Sequence, residues 1–304
     1  MAEIHFGNKI YPCAQGESAL DTLLRYHVQV PWSCRAGLCH SCIMQATQGH
    51  IPAQAQQGLT TEQKTDGLLL ACQCVPETPI TLQLLHRNLQ PVQAIITKTR
   101  LLTPTLIEIT LSPSLPLTYR PGQFLSLSRS RDQPGNLYTL VSRPWAEPDL
   151  RIQVARRVGG QFSSWLFDEA KPCQTIWLRG PDGECCFHPD QFPVVLFGAD
   201  HGIGAALAVA EDILWHETGI PVTVLITGET DGYSQERDQL SATLSVNTAD
   251  NTTLHKQADM LRNDPRFKDA QWLMFGKAKT VIALAEWLSE QGVAQKKIVP
   301  LPYH

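Results

Sequence analysis

The stretch Ser33-Cys34-Arg35-Ala36-Gly37-Leu38-Cys39-His40-Ser41-Cys42 decides how the first part of the chain folds. Its three cysteines follow the pattern C-x4-C-x2-C, and a fourth, Cys72, stands after a gap of 29 residues. Four thiolates with this spacing are typical of a [2Fe-2S] cluster site. A tight loop can present only three sulfurs to one side of so small a cluster, so the fourth has to come from elsewhere. The pattern therefore predicts Cys34, Cys39, Cys42 and Cys72 as metal ligands and electron transfer as the chemistry.

Two alternatives compete with this ligand set. Cys74 lies close enough to Cys72 to compete as the fourth ligand, but the 29-residue gap favours Cys72. A zinc site or reduced structural cysteines are the other interpretation of the same residues. Zinc ligands usually come as paired C-x2-C units, and core cysteines have no reason to keep this spacing.

Length and composition predict an intracellular protein of two or three domains. The chain has 304 residues, of which 43% are hydrophobic, so it can supply several cores. It has no stretch of eighteen apolar residues and no basic and then apolar start, so we expect a cytoplasmic protein without a membrane span. A net charge of -4 gives no support for nucleic-acid binding. An odd total of nine cysteines fits a reducing compartment; those outside the ligand set are Cys13, Cys74, Cys173, Cys185 and Cys186.

The pattern changes after residue 84, where a polar stretch ending at Pro91 predicts a linker. Residues 92–98 and 105–111 alternate as antiparallel strands do, and a turn at 120–124 leads into another strand. Further strands are predicted at 137–142, 150–158 and 175–179. Short strands at such intervals indicate an antiparallel barrel of about six strands.

From Phe192 onward, apolar strands alternate with helix-like segments. The predicted strands are 194–197, 222–226 and 272–275. This alternation is typical of a parallel α/β sheet.

These motifs, in this order, resemble the ferredoxin–NADP reductase superfamily. The cysteine loop resembles the plant-type ferredoxin family, and the resemblance implies an α+β ferredoxin-like (β-grasp) domain over residues 1–88. Residues 92–190 resemble the superfamily's antiparallel six-stranded flavin-binding β-barrel. Residues 192–304 resemble its α/β parallel-sheet nucleotide-binding domain, with altered signatures.

The resemblance implies a flavin site in the barrel. Residues 120–124 are similar to the family's first signature, and 180–184 to its closing Gly-Pro-x-Gly turn. Residues 136–142 fall where the family has Arg-x-Tyr-Ser/Thr, which implies Tyr138, Thr139 and Leu140 along the flavin. The glycine-rich turn at 159–166 leads into a short helix, whose N-terminal N–H groups would hold a pyrophosphate.

That helix start implies Gly160, Gln161 and Ser163 as flavin-binding residues. Relatives often place an aromatic residue near the C-terminus against the flavin ring, which implies Tyr303, although a frayed tail is the alternative. FAD is expected rather than FMN, because relatives with an N-terminal ferredoxin domain generally use FAD.

Two positions depart from the family in these domains. His40 stands where a glycine usually follows the second ligand, and an exposed histidine whose backbone tolerates the turn is the favoured interpretation. Asn136 replaces the arginine that neutralises the flavin diphosphate, a loss of about 1.5–3 kcal/mol of hydrogen bonding. Three arginines lie near enough in sequence to substitute, namely Arg143, Arg156 and Arg157.

The nucleotide signatures are altered as well. Residues 198–205 stand where the family has Ala-Gly-Gly-Thr-Gly-Ile-Ala-Pro, and 275–277 where it has Cys-Gly-Pro, which implies Gly202 and Gly276 at the nucleotide site. Asp200 is expected to cap the following helix and to repel a pyrophosphate. Lys277 could restore some positive charge, although a solvated surface lysine is the favoured interpretation. Residues 227–230 contain no basic side chain for a 2'-phosphate, so NADH is expected rather than NADPH.

The resemblance therefore implies an NADH-dependent reductase component. Electrons would pass from NADH through FAD and a [2Fe-2S] cluster to a partner oxygenase or similar acceptor, and no side chain need act as acid, base or nucleophile. The altered nucleotide signatures keep a second hypothesis open, a subunit that takes electrons from a partner protein instead of NAD(P)H. A third hypothesis is a non-catalytic redox sensor.

Overall fold

The computed structural model describes residues 2–303 except positions 27, 29, 31, 33, 34, 39, 41, 85–90, 132, 134, 158, 189–191 and 251. The chain forms two compact units, Met1–Leu89 and Gln90–His304. The predicted linker after residue 84 lies almost wholly outside the described residues.

The first unit is built on a mixed five-stranded sheet. Its strands are β1 (Glu3–Phe6), β2 (Lys9–Pro12), β3 (Ile43–Gln48), β4 (Leu68–Leu70) and β5 (Ile80–Leu84), in the order β2-β1-β5-β3-β4. β1 and β5 are parallel, and the other neighbours are antiparallel. Two short helices join the strands, α1 (Ala19–Arg25) and α2 (Thr61–Thr65).

Helix α1 forms because its start is capped and one face is apolar. The Ser18 hydroxyl accepts a hydrogen bond from the Asp21 N–H group at 3.1 Å. Ala19, Leu20 and Leu23 are fully buried, and they pack in one core with residues of the sheet. A helix packed on a mixed sheet is the β-grasp arrangement predicted for this segment.

The second unit contains a six-stranded antiparallel sheet. Its strands are β6 (Val92–Thr103), β7 (Leu106–Pro113), β8 (Phe124–Ser128), β9 (Asn136–Thr139), β10 (Leu150–Ala155) and β11 (Thr175–Asp182), in the order β10-β7-β6-β11-β8-β9. An antiparallel bridge between Leu140 and Ile152 joins the two edges and closes the sheet into a barrel. Helix α3 (Gln161–Asp168) packs Trp165 and Leu166 onto the barrel core.

The same unit contains a five-stranded parallel sheet. Its strands are β12 (Val194–Ala199), β13 (Val222–Thr227), β14 (Ser245–Ala249), β15 (Gln271–Lys277) and β16 (Ile298–Tyr303). Its helices are α4 (Ile203–Trp215), α5 (Ser234–Ser241), α6 (Leu254–Asn263) and α7 (Ala278–Glu290). The strands are all parallel and lie in the order β14-β13-β12-β15-β16. The chain therefore adds strands on one side of β12 up to β14 and then crosses to the other side for β15 and β16, which places a reversal of the strand order between β12 and β15. In open α/β sheets, ligands bind at the carboxyl ends of the strands beside such a reversal.

The predicted fold class is confirmed: a ferredoxin-like domain, a six-stranded antiparallel barrel and a parallel α/β sheet. One local prediction differs, because residues 180–182 continue β11 with a shift of register instead of forming a turn. Strands β14 and β16 were not predicted. Within the part of the chain that the structure describes, no helix is both long and apolar enough to cross a membrane.

Candidate functional site

Two of the four predicted cluster ligands lie side by side in the first unit. Cys42 immediately precedes β3, and Cys72 follows β4, the strand that pairs with β3. The Cys72 N–H group lies 3.5 Å from the Cys42 sulfur, and the Ala71 N–H group donates to the Cys42 carbonyl at 3.0 Å. The pairing of β3 with β4 therefore brings the end of the cysteine loop to Cys72. The other two predicted ligands, Cys34 and Cys39, lie outside the described residues.

Cys74 has different surroundings from Cys72. Its side chain is fully buried in the apolar core of the first unit, and burial raises the pKa of its thiol to about 12. A thiol with so high a pKa is poorly suited to binding iron as a thiolate. These surroundings favour Cys72 over Cys74 as the fourth ligand.

The cysteine loop has several residues in the left-handed region. Arg35 and His40 have φ values of 55°, and Gly37 has 75°. His40 is half-buried instead of exposed, and its Nε2 atom lies beside Gly58. The backbone at position 40 therefore adopts the turn that a glycine would make, while the ring packs against the loop after β3.

In the second unit, the structure brings Thr139 and Tyr303 together from distant parts of the sequence. Thr139 ends β9, and Tyr303 ends β16. The Tyr303 hydroxyl is fully buried near the Thr139 hydroxyl, but it makes no aligned hydrogen bond with any described residue. Burial raises the pKa of Tyr303 and also that of Tyr138, which precedes Thr139. An unpartnered buried hydroxyl indicates that a polar ligand atom belongs here.

Leu140 follows Thr139 directly, but its surroundings are apolar. Its side chain is fully buried in the barrel core. Its N–H group donates to the Gln123 carbonyl at 2.7 Å, and its carbonyl accepts from Gly122 at 3.0 Å. Leu140 therefore helps to close the barrel, and its contact with the flavin stays a prediction.

The first turn of α3 contains the predicted pyrophosphate residues. Gly160 is the N-cap, and no side chain caps this helix end. Gln161 begins the helix, and the Ser163 hydroxyl lies 3.4 Å from the Gly160 carbonyl. A β-carbon at position 160 would lie 2.4 Å from the Ser163 Oγ atom, so a larger residue there would require the serine side chain to rotate away. The uncapped turn leaves N–H groups that can bind an anion.

The three arginines proposed to replace Asn136 differ in their partners. Arg143 lies 2.6 Å from Glu147 and 3.5 Å from Glu211, and Arg156 lies 2.9 Å from Asp168. The charge of Arg157 acts on Tyr138, where it lowers the pKa against the effect of burial. Arg157 is thus the arginine best placed beside the predicted flavin residues.

Arg129 is a further cation that sequence reasoning missed. Its guanidinium lies 4.7 Å from the ring centre of Trp165 on α3. Arg129 directly follows β8, and no motif in the sequence around it predicts this contact.

The reversal point of the parallel sheet joins Gly202 and Gly276. A β-carbon on Gly202 would collide with the backbone of Phe275 and Gly276, and one on Gly276 with the Ala199 carbonyl. The turn after β12 and the end of β15 are therefore in backbone contact, which only glycine permits at these two positions. Lys277 is exposed at the end of β15.

The predicted Asp200 cap is wrong. A 3-10 turn over Asp200–Gly202 precedes α4, and no side chain caps either this turn or the helix. Asp200 has a φ of 50°, and its carboxylate instead lies against Gly228, in the turn after β13. The positive φ directs the side chain across the sheet edge, away from the helix end.

Two neighbours of the predicted site were missed by sequence reasoning. His201 stacks on Tyr303, with ring centres 5.3 Å apart, and burial lowers the pKa of His201. Cys185 is buried with its sulfur 3.1 Å from the Val299 carbonyl. The same sulfur lies 3.8 Å from the Met274 carbonyl, so Cys185 contacts both β15 and β16. His201 could have been suspected from its place in the altered signature, whereas Cys185 had no motif around it.

Comparisons with known proteins agree with this geometry. A family model described as a 2Fe-2S iron-sulfur cluster binding domain matches residues 5–77. The xylene/toluene monooxygenase electron transfer component XylA of Pseudomonas putida is 24% identical over 206 residues, covering 66% of this chain and 59% of that protein. The ferredoxin–NAD(P)(+) reductase CarAd of Metapseudomonas resinovorans is 26% identical over 231 residues, covering 72% and 70%.

One solved structure has the same fold along nearly the entire chain. The Amycolatopsis cytochrome P450 reductase GcoB superposes with a TM-score of 0.65 at 18% identity, over 99% of this chain and 98% of that one. The chain contains a 2Fe-2S iron-sulfur cluster binding domain. Beyond that domain the chain shares the fold of that reductase, as the resemblance of its motifs implied.

The matching family model confirms the predicted [2Fe-2S] domain, and the similarity to reductases agrees with the predicted class, an oxidoreductase with flavin and nicotinamide cofactors. The alignment with XylA spans less than two thirds of that protein. The activity of this chain, its electron acceptor and its preferred nicotinamide are therefore proposals.

Proposed function

We propose that this chain is the reductase component of an oxygenase system, passing electrons from NADH through FAD and a [2Fe-2S] cluster to a partner oxygenase or similar acceptor. The observation that carries the proposal is the union, in one chain, of a [2Fe-2S] domain with a flavin-type barrel and a parallel sheet. The names of relatives support it, since they include a monooxygenase electron transfer component and a dioxygenase reductase component.

The first unit fits a [2Fe-2S] cluster. Cys42 and Cys72 are adjacent, and the Cys72 N–H group points at the Cys42 sulfur, as is expected of a donor that stabilises a thiolate. Cys34 and Cys39 complete the proposed ligand set. We also retain the domain limits 1–88, 92–190 and 192–304 as part of the proposal.

The second unit fits a flavin. The unpartnered Tyr303 hydroxyl and the buried Thr139 lie together, so a polar edge of the ring system would complete their hydrogen bonding. Tyr138 would pack along the ring. The uncapped α3 start, with Gly160, Gln161 and Ser163, would hold the pyrophosphate, and Arg157 would supply the charge that Asn136 lacks.

The bound flavin and cluster would supply the redox chemistry, accepting two electrons from the nicotinamide and delivering them singly to an acceptor protein. The residues of the chain position these groups and exclude water. The stacked His201 and Tyr303 rings cover the predicted flavin site from the side of the parallel sheet. No described side chain is assigned as acid, base or nucleophile.

The nucleotide would bind at the reversal between β12 and β15, beside Gly202 and Gly276. Asp200 and the exposed Glu229 and Asp231 line the neighbouring turns with negative charge. An additional 2'-phosphate would be repelled there, so we propose NADH as the donor. Asp200 also supports the second candidate, because its carboxylate lies where a pyrophosphate would approach; in that case a partner protein reduces the flavin.

A cytoplasmic location is part of the proposal. Cys173 is an exposed thiol outside any disulfide, which favours a reducing compartment.

The test is an anaerobic absorbance titration of the reconstituted protein with NADH and then NADPH, following the flavin and cluster bands separately. We expect near-stoichiometric NADH to bleach both bands rapidly, and NADPH to act more slowly. The Cys72→Ser variant is the matched control, in which NADH should bleach the flavin alone. If neither nucleotide bleaches the wild type while dithionite does, the donor is a protein. Slow turnover with every one-electron acceptor would instead favour a redox sensor.

A further inference from the structure

Gln73 follows the proposed fourth ligand, and its side chain turns back over the cysteine loop. Its Nε2 atom lies 3.8 Å from the Cys72 sulfur and 3.2 Å from the Arg35 carbonyl. One side-chain amide therefore donates both to a proposed ligand and to the loop that carries the other ligands.

A second amide orients this donor. The Gln54 Nε2 atom lies 3.5 Å from the Gln73 Oε1 atom. Because an amide nitrogen donates and an amide oxygen accepts, this contact turns the Gln73 nitrogen toward Cys72 and Arg35. The three residues form a short chain of hydrogen bonds that ends on the Cys72 sulfur.

The loop is shaped to receive the Gln73 side chain. A β-carbon on Gly37 would lie 2.8 Å from the Gln73 Cγ atom, so any larger residue would displace the glutamine. Gly37 also has a φ of 75°, which favours glycine. The fit between Gly37 and Gln73 thus fixes the loop relative to the turn that contains Cys72.

Hydrogen bonds to cluster sulfurs are among the factors that set the reduction potential of an iron–sulfur centre. Reduction adds negative charge to the cluster, and a donor to a ligand sulfur stabilises that charge more in the reduced state than in the oxidised state. Removing the donor therefore makes the cluster harder to reduce.

We propose that Gln73 is a positioning residue that raises the reduction potential of the cluster through its amide contact with Cys72, held in place by Gln54. The inference rests on the proposed function, because it takes Cys72 as a ligand. Gln73 itself does not bind iron. Its role is to set how readily electrons enter the cluster and pass to the acceptor.

The experiment measures the midpoint potential of the reconstituted full-length protein by redox titration, with the reduced cluster followed by electron paramagnetic resonance. Gln73→Leu removes the donor at similar size. We expect the equilibrium constant for reduction to fall about tenfold, which for one electron is a potential about 59 mV more negative. Gln73→Glu should shift it further in the same direction, because a carboxylate adds negative charge and cannot donate.

Two other variants keep the test decisive. Gln54→Leu leaves Gln73 in place but removes its orienting contact, so a smaller negative shift is expected even if Gln73→Leu fails to assemble a cluster. Gln83→Leu is the control, because the Gln83 amide donates to Gln45 at 2.8 Å within the same sheet. Its potential should match that of the wild type.

The outcomes separate this inference from the proposed function. A wild-type protein without a [2Fe-2S] spectrum after reconstitution would contradict the proposed function. A normal wild-type cluster whose potential is unchanged in the Gln54 variant and in every Gln73 variant that assembles a cluster would overturn the role of Gln73 alone. If Gln83→Leu shifts the midpoint potential as much as Gln73→Leu does, the effect is not specific to the amide beside Cys72 and the role of Gln73 is also overturned.

Discussion

Cys72 and Cys74 stand two positions apart, yet the structure gives their sulfurs different surroundings. The Cys72 sulfur is near Gln73 and the Cys72 N–H group is near Cys42, whereas the Cys74 side chain is fully enclosed by apolar residues. The tight turn after β4 accounts for the difference, because the Gln73 and Cys74 N–H groups bond back to the Leu70 and Ala71 carbonyls. The turn directs one thiol toward the cysteine loop and the other into the core.

Serine substitutions test this assignment. We expect Cys72→Ser to lose the visible absorption of the cluster. Cys74→Ser should retain it but lower the free energy of unfolding by about 1–3 kcal/mol, because a hydroxyl is then buried in an apolar core. Absorbance after reconstitution and urea unfolding measure the two effects. Loss of the cluster in Cys74→Ser together with its retention in Cys72→Ser would reverse the ligand assignment.

Asp200 is expected to affect nucleotide binding through its charge and stability through its backbone conformation. A non-glycine residue at a φ of 50° is strained, and its carboxylate lies at the edge where a dinucleotide phosphate would approach. The structure shows that Asp200 does not cap the helix, but its carboxylate would still repel the phosphates of a dinucleotide.

We expect Asp200→Asn and Asp200→Gly to lower the Kd for NADH about fivefold. A like charge near a phosphate costs on the order of 1 kcal/mol at a solvated site. Asn keeps the size and tolerates the left-handed backbone, while Gly adopts it without strain but loses more conformational freedom on folding, so neither variant should change the stability by more than about 1 kcal/mol. Isothermal titration and thermal unfolding distinguish the two effects. Unchanged or weaker NADH binding in both variants would show that the Asp200 charge does not oppose the nucleotide.

At the scale of elements, the alternating strands of the barrel and the apolar strands of the parallel sheet were predictable because burial imposes a periodic pattern. Two strands escaped that reasoning. β14 is polar, with Asn247 bonded to Thr223 on the neighbouring strand. β16 contains Pro300 and Pro302, which cannot donate to a sheet and are tolerated because β16 is an edge strand.

The residues of the candidate site also divide into those that the sequence predicted and those that it did not. Tyr138, Thr139 and Gly160 could be found from short motifs in one segment each. The meeting of Thr139 with Tyr303 could not, because it depends on how the barrel packs against the end of the parallel sheet. Asp200 was misread for a local reason, since sequence does not reveal the 3-10 turn that delays the start of α4 until Ile203.

Glycine positions at the start of α4 give a prediction about this element. Gly202→Ala places a β-carbon against the backbone at the end of β15, which cannot yield, and should cost about 1–3 kcal/mol of stability. Gly204→Ala is the matched control. Its β-carbon would meet the end of the flexible Gln153 side chain, which must give up its hydrogen bond from Tyr233 to move, whereas alanine favours the helix by about 0.5–1 kcal/mol and offsets that loss.

Urea unfolding of the two variants measures the difference, which should appear as a lower midpoint for Gly202→Ala and a midpoint near the wild-type value for Gly204→Ala. Equal midpoints for the two variants would mean that the backbone contact between Gly202 and Gly276 is not rigid.

At the scale of the whole second unit, charged side chains join the barrel to the parallel sheet. Arg143 of the barrel lies 3.5 Å from Glu211 on α4, and Arg100 lies 3.8 Å from Glu236 on α5. The Tyr233 hydroxyl adds a 2.9 Å hydrogen bond to Gln153 on β10. These contacts lie between the two sheets within one compact unit.

Two carboxyl groups in this unit respond to pH in opposite directions. Burial raises the pKa of Glu147, but hydrogen bonds from Arg151 and Arg143 outweigh it and hold the pKa below its usual value. The stability that Glu147 contributes is therefore present above its ordinary pKa and is lost as the pH falls through the depressed value. Asp212 behaves in the opposite way, because burial raises its pKa from 3.8 to about 6.

The shift of Asp212 predicts that its ionisation opposes folding. The unfolded chain ionises at about pH 3.8 and the folded unit at about pH 6, so stability declines between these values and the penalty is complete above pH 6. Asp212→Asn should therefore raise the Tm at pH 8, and the gain should shrink as the pH is lowered toward 4. Asp238→Asn, at a side chain that is 76% exposed, is the control and should show no such dependence. Thermal unfolding at both pH values decides the matter: a gain in Tm that stays constant with pH would mean that packing around position 212, and not its charge, limits the stability of this unit.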